Sequence, residues 1–323
     1  MVKYISERCG KEISQNKKIP CQNNKEKIKE VTENIIQDKK FTSNNSESII
    51  TTTLTSKQEK ITNKSLNPIV KWSGGKKDEL NNIIPYIPNN YDIYLEPFIG
   101  GGALFFNQNP DKAVINDVHK ELTDFYTAIK NGNAGAIYDF MKSHPNDEAT
   151  YYKVRSYDNT DALDNAKRFY YLRKTCFRGM LRYNSKGEFN IPYGRYKTYN
   201  FEEIKNKEYE TLLKRTEIFN KSFEAIFNDY NNSNNFMFLD PPYDSEFTDY
   251  GYCSFGKEEQ KKLAECFKKT NIKCLMIIGK TEFIEELYKD YIVGEYDKKY
   301  RFKLHSGRVG DEINTKHLII KNY

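Results

Sequence analysis

Apolar residues occur in short runs that alternate with longer amphipathic stretches along most of the chain. Runs of strand length lie at residues 92–98, 112–116, 223–227, 236–239, 273–278 and 317–320. Helical periodicity follows the first two runs and returns at residues 257–269 and 281–291. Parallel strands that are covered on both faces have such continuous apolar runs. The pattern therefore predicts an α/β fold with a mostly parallel sheet and helices on both faces.

Residues 161–221 interrupt this alternation. A helical segment is followed by residues 182–190, in which the turn residues NSKG at 184–187 separate positions of alternating polarity. Such a turn between two alternating segments predicts a β-hairpin. We therefore interpret the segment as an insertion into the α/β domain.

The insertion is strongly basic. Residues 167–197 contain nine Lys and Arg residues, eight aromatic residues and a single acid, Glu188. Basic residues interleaved with aromatic residues are typical of nucleic-acid binding. The cations bind phosphates or guanine edges, and the rings stack on bases. A solvated helix face followed by a hairpin with ordinary core rings has the same composition, and composition alone does not choose between the two.

The net charge of the chain, +6, is unevenly distributed. Residues 1–66 carry +5, and the rest carry +1 because the +8 of residues 167–197 is set against −7 elsewhere. Residues 1–66 are rich in Lys, Glu, Asn, Ser and Thr, and such a composition buries too little apolar surface to offset the entropy of ordering. We expect a disordered or weakly helical extension there, with a small appended helical module as the alternative.

Other features of the composition exclude several classes of protein. The apolar runs are far shorter than the roughly 20 residues that a membrane span needs, so no membrane partner is expected. The N-terminal residues lack the apolar segment of a secretion signal, and the six cysteines show no CxxC spacing, which fits a cytoplasmic protein. The four histidines have no metal-ligand spacing, so no metal is expected.

A glycine cluster ends the run at 92–98, where the sequence is EPFIGGG at residues 96–102. Glycines at the carboxyl end of a strand let the backbone approach a ligand, although a glycine turn is more often only structural. The next strand ends at Asp117, where a carboxylate can accept hydrogen bonds from ribose hydroxyls. Together the two features indicate a cofactor that contains a nucleoside.

A second cluster, DPPY at residues 240–243, follows the run at 236–239 on the same edge of the sheet. Two prolines cannot continue a central strand, so the chain turns out of the sheet with restricted dihedral angles. The prolines alone could therefore serve only to end the strand in a rigid loop. The acid and the ring have a specific use for an exocyclic amine. The Asp240 carboxylate and a proline carbonyl can accept both N–H bonds of the amino group while Tyr243 stacks on the base.

A third motif, KWSGGKK at residues 71–77, holds the only Trp of the chain and by itself predicts just a loop. Taken in order, KWSGGK, EPFIGGG, the insertion and DPPY resemble the DNA adenine-N6 methyltransferases of the Dam type (D12 class, alpha group). Residues 176–197, CFRGMLRYNSKGEFNIPYGRYK, are similar to the recognition hairpin of that family. The resemblance covers about residues 68–323 and is specific, because separate motifs agree in order and spacing.

The resemblance implies a Rossmann-like class I methyltransferase sheet with an inserted helical and β-hairpin target-recognition domain. It divides the chain into the extension at 1–66, a cofactor-binding half at 67–150, the target-recognition insertion at 151–221 and a catalytic half at 222–323.

The resemblance also implies roles for individual residues. The expected cofactor is S-adenosylmethionine, and its contacts are Trp72, Lys76, Glu96, Phe98, Gly100, Gly102, Asp117 and Asp240. The expected catalytic residues are Asp240, Pro241, Pro242 and Tyr243. The expected DNA contacts are Arg173, Arg178, Arg182, Asn184, Lys186, Asn190, Arg195 and Lys197.

The activity implied is methylation of adenine N6 at a short site in double-stranded DNA, with GATC suggested by closeness to Dam-type hairpins. The target base must leave the helix to reach the methyl group, so base flipping is implied. We expect an enzyme that acts alone or beside a cognate restriction endonuclease. The alternatives are methylation of RNA or of cytosine N4, and a catalytically silent DNA-binding module of the same fold.

Overall fold

The computed structural model describes residues 65–158, 161–243, 255–300 and 313–323. The expected N-terminal extension lies outside the described residues, apart from its last two positions. Within these ranges the chain forms one mixed sheet with helices packed on both of its faces, and a long segment separates the second and third strands along the chain.

Seven strands form the sheet in the described part of the chain. They are β1 (Tyr94–Glu96), β2 (Ala113–Asn116), β3 (Thr216–Phe219), β4 (Phe236–Leu239), β5 (Lys273–Gly279), β6 (Ile292–Tyr300) and β7 (Ile313–Lys321). Their order across the sheet is β3-β2-β1-β4-β5-β7-β6. Strands β1 to β5 pair in parallel, and β7 is antiparallel to both of its neighbours.

In the ranges that the structure describes, helices lie between most consecutive strands of the sheet, and five of them lie between β2 and β3. In chain order they are α1 (Leu80–Ile83), α2 (Ala103–Gln108), α3 (Lys120–Lys130), α4 (Ala134–Ser143), α5 (Glu148–Arg155), α6 (Ala162–Thr175), α7 (Lys207–Lys214), α8 (Phe223–Asp229), α9 (Lys257–Lys269) and α10 (Glu282–Tyr288). Short 3-10 turns occur at Lys77–Glu79, Ile84–Tyr86, Phe177–Gly179 and Glu202–Lys205. None of the helices in the described ranges is long and apolar enough to cross a membrane.

The central strands are buried on both faces. Every residue of β1, β2 and β4 is buried. Alternate residues of these strands join two separate apolar clusters: Tyr94 and Phe236 lie in one, whereas Leu95 and Met237 lie in the other. Because successive side chains of a strand point to opposite faces, the sheet is covered on both sides, and the predicted α/β class is confirmed.

Three elements differ from the prediction. Residues 223–227 form the start of α8 instead of a strand, because Phe223, Ile226 and Phe227 are buried at helical spacing. The outer strands β3 and β6 were not predicted from the sequence. Both lie at an edge of the sheet, where one face or margin is open to water, so their residues do not form a continuous apolar run.

The predicted hairpin of the insertion is confirmed. Tyr183 and Phe189 pair across it in antiparallel fashion, and the N–H of Asn190 donates to the carbonyl of Arg182 at 3.0 Å. The side-chain oxygen of Asn184 accepts hydrogen bonds from two backbone N–H groups of the turn, which closes it locally. The boundaries expected for the three parts of residues 67–323 stay predictions.

Candidate active site

Three neighbouring strands end at one edge of the sheet and carry the candidate residues there. β2, β1 and β4 are adjacent and parallel, so their carboxyl ends lie side by side. Asp117 follows β2, the turn at residues 97–102 follows β1, and Asp240 follows β4. In an open α/β sheet this edge is where ligands bind.

The glycine turn and the acid after β2 are joined directly. The N–H of Gly100 donates to Oδ2 of Asp117 at 3.0 Å, and the N–H of His119 donates to Oδ1 at 2.9 Å. Burial raises the pKa of Asp117 to about 6, and the hydrogen bonds from backbone N–H groups oppose that rise. The hydroxyl of Tyr126, on α3, donates to the carbonyl of Gly100 at 2.9 Å and also stabilises the turn.

Gly100 also brings the turn against Trp72. Its φ of +44° is a conformation that residues with a Cβ rarely adopt, and a Cβ there would lie 2.7 Å from Cδ1 of Trp72. The indole ring in turn lies edge to face with His119, with ring centroids 5.6 Å apart. Trp72, Gly100 and Asp117, predicted from three separate motifs, therefore converge at one place. Gly102, the residue directly before α2, has the left-handed conformation, with a φ of +67°.

An ion pair joins the first motif to the last. Nζ of Lys76 lies 2.6 Å from Oδ1 of Asp240, although 164 residues separate the two in sequence. Only 2% of the Lys76 side chain is exposed, and its Nζ also donates to the carbonyl of Gly74 at 2.8 Å. Burial raises the pKa of Asp240, whereas the positive charge and hydrogen bond of Lys76 lower it. The pair holds the carboxylate in one orientation at the strand end.

The remaining residues of DPPY contact α9, β5 and Lys76. The side-chain amide of Gln260, a buried residue of α9, donates to the carbonyl of Pro242 at 2.7 Å. The Tyr243 ring lies next to the backbone of Gly279, with the Lys76 ammonium 5.1 Å from its centroid. The Pro242 carbonyl therefore already accepts one hydrogen bond inside the protein.

Glu96 and Phe98 lie beside this site in different surroundings. The Tyr94 hydroxyl donates to Oε2 of Glu96 at 2.5 Å, and the carboxyl is buried. Burial raises the pKa of Glu96 well above its usual value, and the negative charge of Asp240 adds to that rise. Phe98 is partly exposed and packs against Phe223, with ring centroids 5.5 Å apart.

The structure divides the basic residues of the insertion into two groups. Five of them are exposed: Arg178, Arg182, Lys186, Arg195 and Lys197. Lys167, Arg168 and Lys174 are less exposed and form ion pairs with neighbouring carboxylates, whereas among the exposed residues Arg195 pairs with Glu148. The exposed Arg182 is oriented by Asn190, whose side-chain oxygen accepts from Nε at 2.8 Å, and Asn184 bonds Glu188 across the turn.

Arg173 does not lie on the surface, where we expected it as a DNA contact. It is 2% exposed. Its guanidinium donates to the carbonyl of Met180 at 2.8 Å and to the carbonyl of Lys71, and it lies 5.3 Å from the Trp72 ring. The arginine therefore ties the loop of the first motif to the insertion. Spacing along α6 did not reveal this, because the groups it contacts come from distant segments.

The aromatic residues of the insertion also divide. Phe169, Tyr170, Tyr171 and Phe189 are buried core rings, as the plain structural interpretation of the segment requires. Tyr183 has a polar role that sequence analysis missed. Its hydroxyl donates to Oε2 of Glu121 on α3 at 2.7 Å, and Arg168 donates to Oε1 of the same carboxylate at 2.7 Å.

Comparison with known proteins agrees with the geometry of the site. Residues 72–304 match the family described as D12 class N6 adenine-specific DNA methyltransferase. The chain belongs to this family, and it is an enzyme that methylates adenine N6 in DNA. The family implies S-adenosylmethionine as the methyl donor. In the described part of the chain, no three His, Cys, Asp or Glu side chains are grouped to hold a metal ion.

Particular relatives cover most of the chain. It is 65% identical over 261 residues to the Type II methyltransferase M.CviBI of Paramecium bursaria Chlorella virus NC1A, a match of 80% of this chain and 100% of the relative. It is 32% identical over 290 residues to the Type II methyltransferase M.MjaIII of Methanocaldococcus jannaschii, covering 80% and 99%. Identity to the DNA adenine methylase of Haemophilus influenzae is 30% over 236 residues, covering 68% and 82%. The family resemblance inferred from the motifs is thereby confirmed.

Proposed function

We propose that the edge formed by β2, β1 and β4 is the active site, with the cofactor beside β1 and β2 and the target adenine beside β4. The observation that carries the proposal is the 2.6 Å contact between Lys76 and Asp240, which joins the proposed cofactor residues to the proposed catalytic ones. The family activity needs the two substrates side by side, and adjacent parallel strand ends supply that arrangement.

The residues present fit S-adenosylmethionine. The turn at Gly100 and Gly102 leaves no room for a side chain on the turn itself, and Asp117 offers carboxylate oxygens to ribose hydroxyls. The proposed contacts are Trp72, Lys76, Glu96, Phe98, Gly100, Gly102, Asp117 and Asp240. When bound, the cofactor supplies an electrophilic methyl group on a sulfonium.

Asp240, Pro241 and Tyr243 act on the adenine. The carboxylate of Asp240 and the carbonyl of Pro241 accept hydrogen bonds from the two N–H groups of the amino group, which directs the N6 lone pair toward the methyl group. The N6–C bond would form as the bond from the methyl group to sulfur breaks, and one N6 proton would then be lost. Lys76 favours the ionised form of Asp240, and that charge stabilises the positive charge that develops on N6. Tyr243 stacks on the base, and Pro242, through Gln260, holds the loop.

The exposed face of the hairpin contacts the duplex. Arg178, Arg182, Lys186, Arg195 and Lys197 supply the positive charge, and Arg182 reads a base edge with Asn190 behind it. The adenine is flipped out of the helix into the site. GATC stays a prediction. Because several relatives are named Type II methyltransferases, we also propose a cytoplasmic enzyme paired with a restriction endonuclease.

Asp240→Ala tests the assignment. Transfer of a labelled methyl group from S-adenosylmethionine to duplex DNA should fall to background, while cofactor and DNA binding persist in part. Digestion of the labelled product should yield N6-methyladenine and no N4-methylcytosine, and RNA should stay unlabelled. Asp229→Ala, at an exposed carboxylate of α8 paired with Lys221, is the matched control and should turn over normally. Normal turnover of Asp240→Ala would refute the catalytic assignment.

A further inference from the structure

A buried carboxylate, Glu79, lies in the 3-10 turn three residues after Lys76 and has no part in the mechanism above. It is 3% exposed. Three side chains from β6 and β7 donate to it: Nδ1 of His317 at 2.6 Å, Nζ of Lys298 at 2.6 Å and the hydroxyl of Tyr296 at 2.7 Å. The donors are more than 200 residues away in sequence, so the cluster exists only in the folded protein.

The hydrogen bonds and charges around Glu79 favour its ionised form although the side chain is buried. Burial raises the pKa of Glu79, but the hydrogen bond from His317, the charge of Lys76 and the bonds from Lys298 and Tyr296 together lower it to about 2. A buried carboxylate is tolerated only while its donors stay in place, because losing a donor leaves charge without compensation. Glu79 therefore restrains the positions of the side chains that donate to it.

One of these donors touches the active site. The His317 ring meets the Tyr243 ring edge to face, with centroids 5.2 Å apart and an interplanar angle of 81°. Gly279 and the ammonium of Lys76 also lie close to the same tyrosine ring, with the ammonium 5.1 Å from its centroid. The orientation of Tyr243 thus depends on His317, and Nδ1 of His317 is bonded to Glu79.

We propose that Glu79, acting through His317, is a positioning residue that sets the orientation of the Tyr243 ring for stacking on the flipped adenine. The proposal rests on the role of Tyr243 proposed above. Glu79 touches neither substrate, so its loss should slow the methyl-transfer step and leave the binding of S-adenosylmethionine and DNA almost unchanged. Misplacement of a reacting group by about 1 Å can slow a reaction about 100-fold.

Glu79→Gln is the first test, because the amide keeps the shape of the side chain and removes its charge. The single-turnover rate constant should fall by about 10- to 100-fold, with both dissociation constants within about threefold of the parent. Glu295→Gln is the matched control. Glu295 lies on β6, the strand that carries Tyr296 and Lys298, and pairs with two lysines, Lys280 and Lys316, but it is on the surface and should keep the parent rate.

A double variant separates positioning from general stability. If Glu79 acts through the Tyr243 ring, adding Glu79→Gln to Tyr243→Ala should slow transfer by less than about twofold further. Effects that multiply fully would overturn the proposal. Rates are expressed per cofactor-binding site, so loss of folded protein does not alter them. If Glu79→Gln reacts at the parent rate while Asp240→Ala is inactive, the role of Glu79 is refuted and the proposed function stands. If Asp240→Ala is active, the proposed function itself is refuted.

His317→Gln covers the case in which Glu79→Gln does not fold. Glutamine can still donate to Glu79 but removes the ring that touches Tyr243. Transfer should slow by about tenfold or more, again without a further effect in the Tyr243→Ala background. A parent-like rate constant for this variant contradicts the proposed path from Glu79 to Tyr243.

Discussion

The hydroxyl group of Tyr183, in the hairpin of the insertion, lies 2.7 Å from Nε2 of His119. Burial lowers the pKa of His119 to about 3, and the charge of Arg173 lowers it as well, so the imidazole is neutral. Its Nδ1 accepts from the N–H of Leu122, which leaves the proton on Nε2, donating to Tyr183. Since the backbone N–H of His119 donates to Asp117, the hairpin is connected to the proposed cofactor site.

Tyr183→Phe should therefore weaken cofactor binding although Tyr183 is not one of the proposed cofactor contacts. The change removes the hydrogen bond between Nε2 of His119 and Tyr183 and one of the hydrogen bonds that the Glu121 carboxylate accepts, and His119 carries one of the donors to Asp117. We expect the dissociation constant of S-adenosylmethionine to rise about three- to tenfold by calorimetry. Tyr152→Phe, at an exposed tyrosine, is the control, and equal affinities in both variants would contradict the connection.

Gly100→Ala should be damaging for both stability and cofactor binding. The backbone there has a φ of +44°, and the new Cβ would lie 2.7 Å from the Trp72 ring. We expect the free energy of unfolding to fall by about 2 kcal/mol and cofactor affinity to fall at least about tenfold, because Trp72 must move. Gly135→Ala, in α4 with nothing near its Cβ position, should leave both unchanged or be slightly stabilising.

The exposed basic residues of the insertion should account for part of the salt dependence of DNA binding. Changing Lys186 and Lys197 to Gln should reduce the dependence of DNA affinity on salt, by roughly 0.9 in the logarithmic slope per lost phosphate contact. Lys269→Gln, on the surface of α9, should leave that slope unchanged. An unaltered slope in the Lys186 and Lys197 variant would mean that the hairpin is not the DNA contact.

Arg173→Gln should behave as a core substitution. Its guanidinium bonds two backbone carbonyls in a buried position, so thermal or denaturant unfolding should show a loss of about 2–4 kcal/mol. Arg195→Gln removes an exposed arginine whose partner Glu148 is also exposed, and should change stability by less than about 0.5 kcal/mol. Equal losses in the two variants would be inconsistent with the burial of Arg173.

Glu79 should make a measurable contribution to acid denaturation. Its pKa is about 2 in the folded protein against 4.5 for the ordinary side chain. A lowered pKa means that the contribution, about 3 kcal/mol, is complete above pH 4.5 and is lost as the pH falls toward 2. Denaturant titrations of Glu79→Gln should therefore be less dependent on pH in this range than those of the parent. Parallel pH profiles would argue against the ionised cluster.

The motifs were predictable because each is a local signal. Apolar runs identified β1, β2 and β4, and the residues directly after them supplied Asp117, the glycine turn and Asp240. Adjacent parallel strands bring their carboxyl ends together, so this part of the site follows from the pattern. The edge strands β3 and β6 were missed because their burial is incomplete, and α8 was misjudged because its apolar residues form a short run.

The sequence by itself determined the α/β class, the hairpin, the order of the motifs and the family, since these depend on periodicity, turn residues and short contiguous motifs. Only the tertiary structure decided that Arg173 is buried beneath Trp72, that Tyr183 bonds His119, and that Glu79 gathers donors from β6 and β7. Each of these contacts joins residues far apart along the chain. Whether a charged side chain is buried, and which groups it contacts, depends on tertiary packing and cannot be inferred from the spacing of residues along the chain.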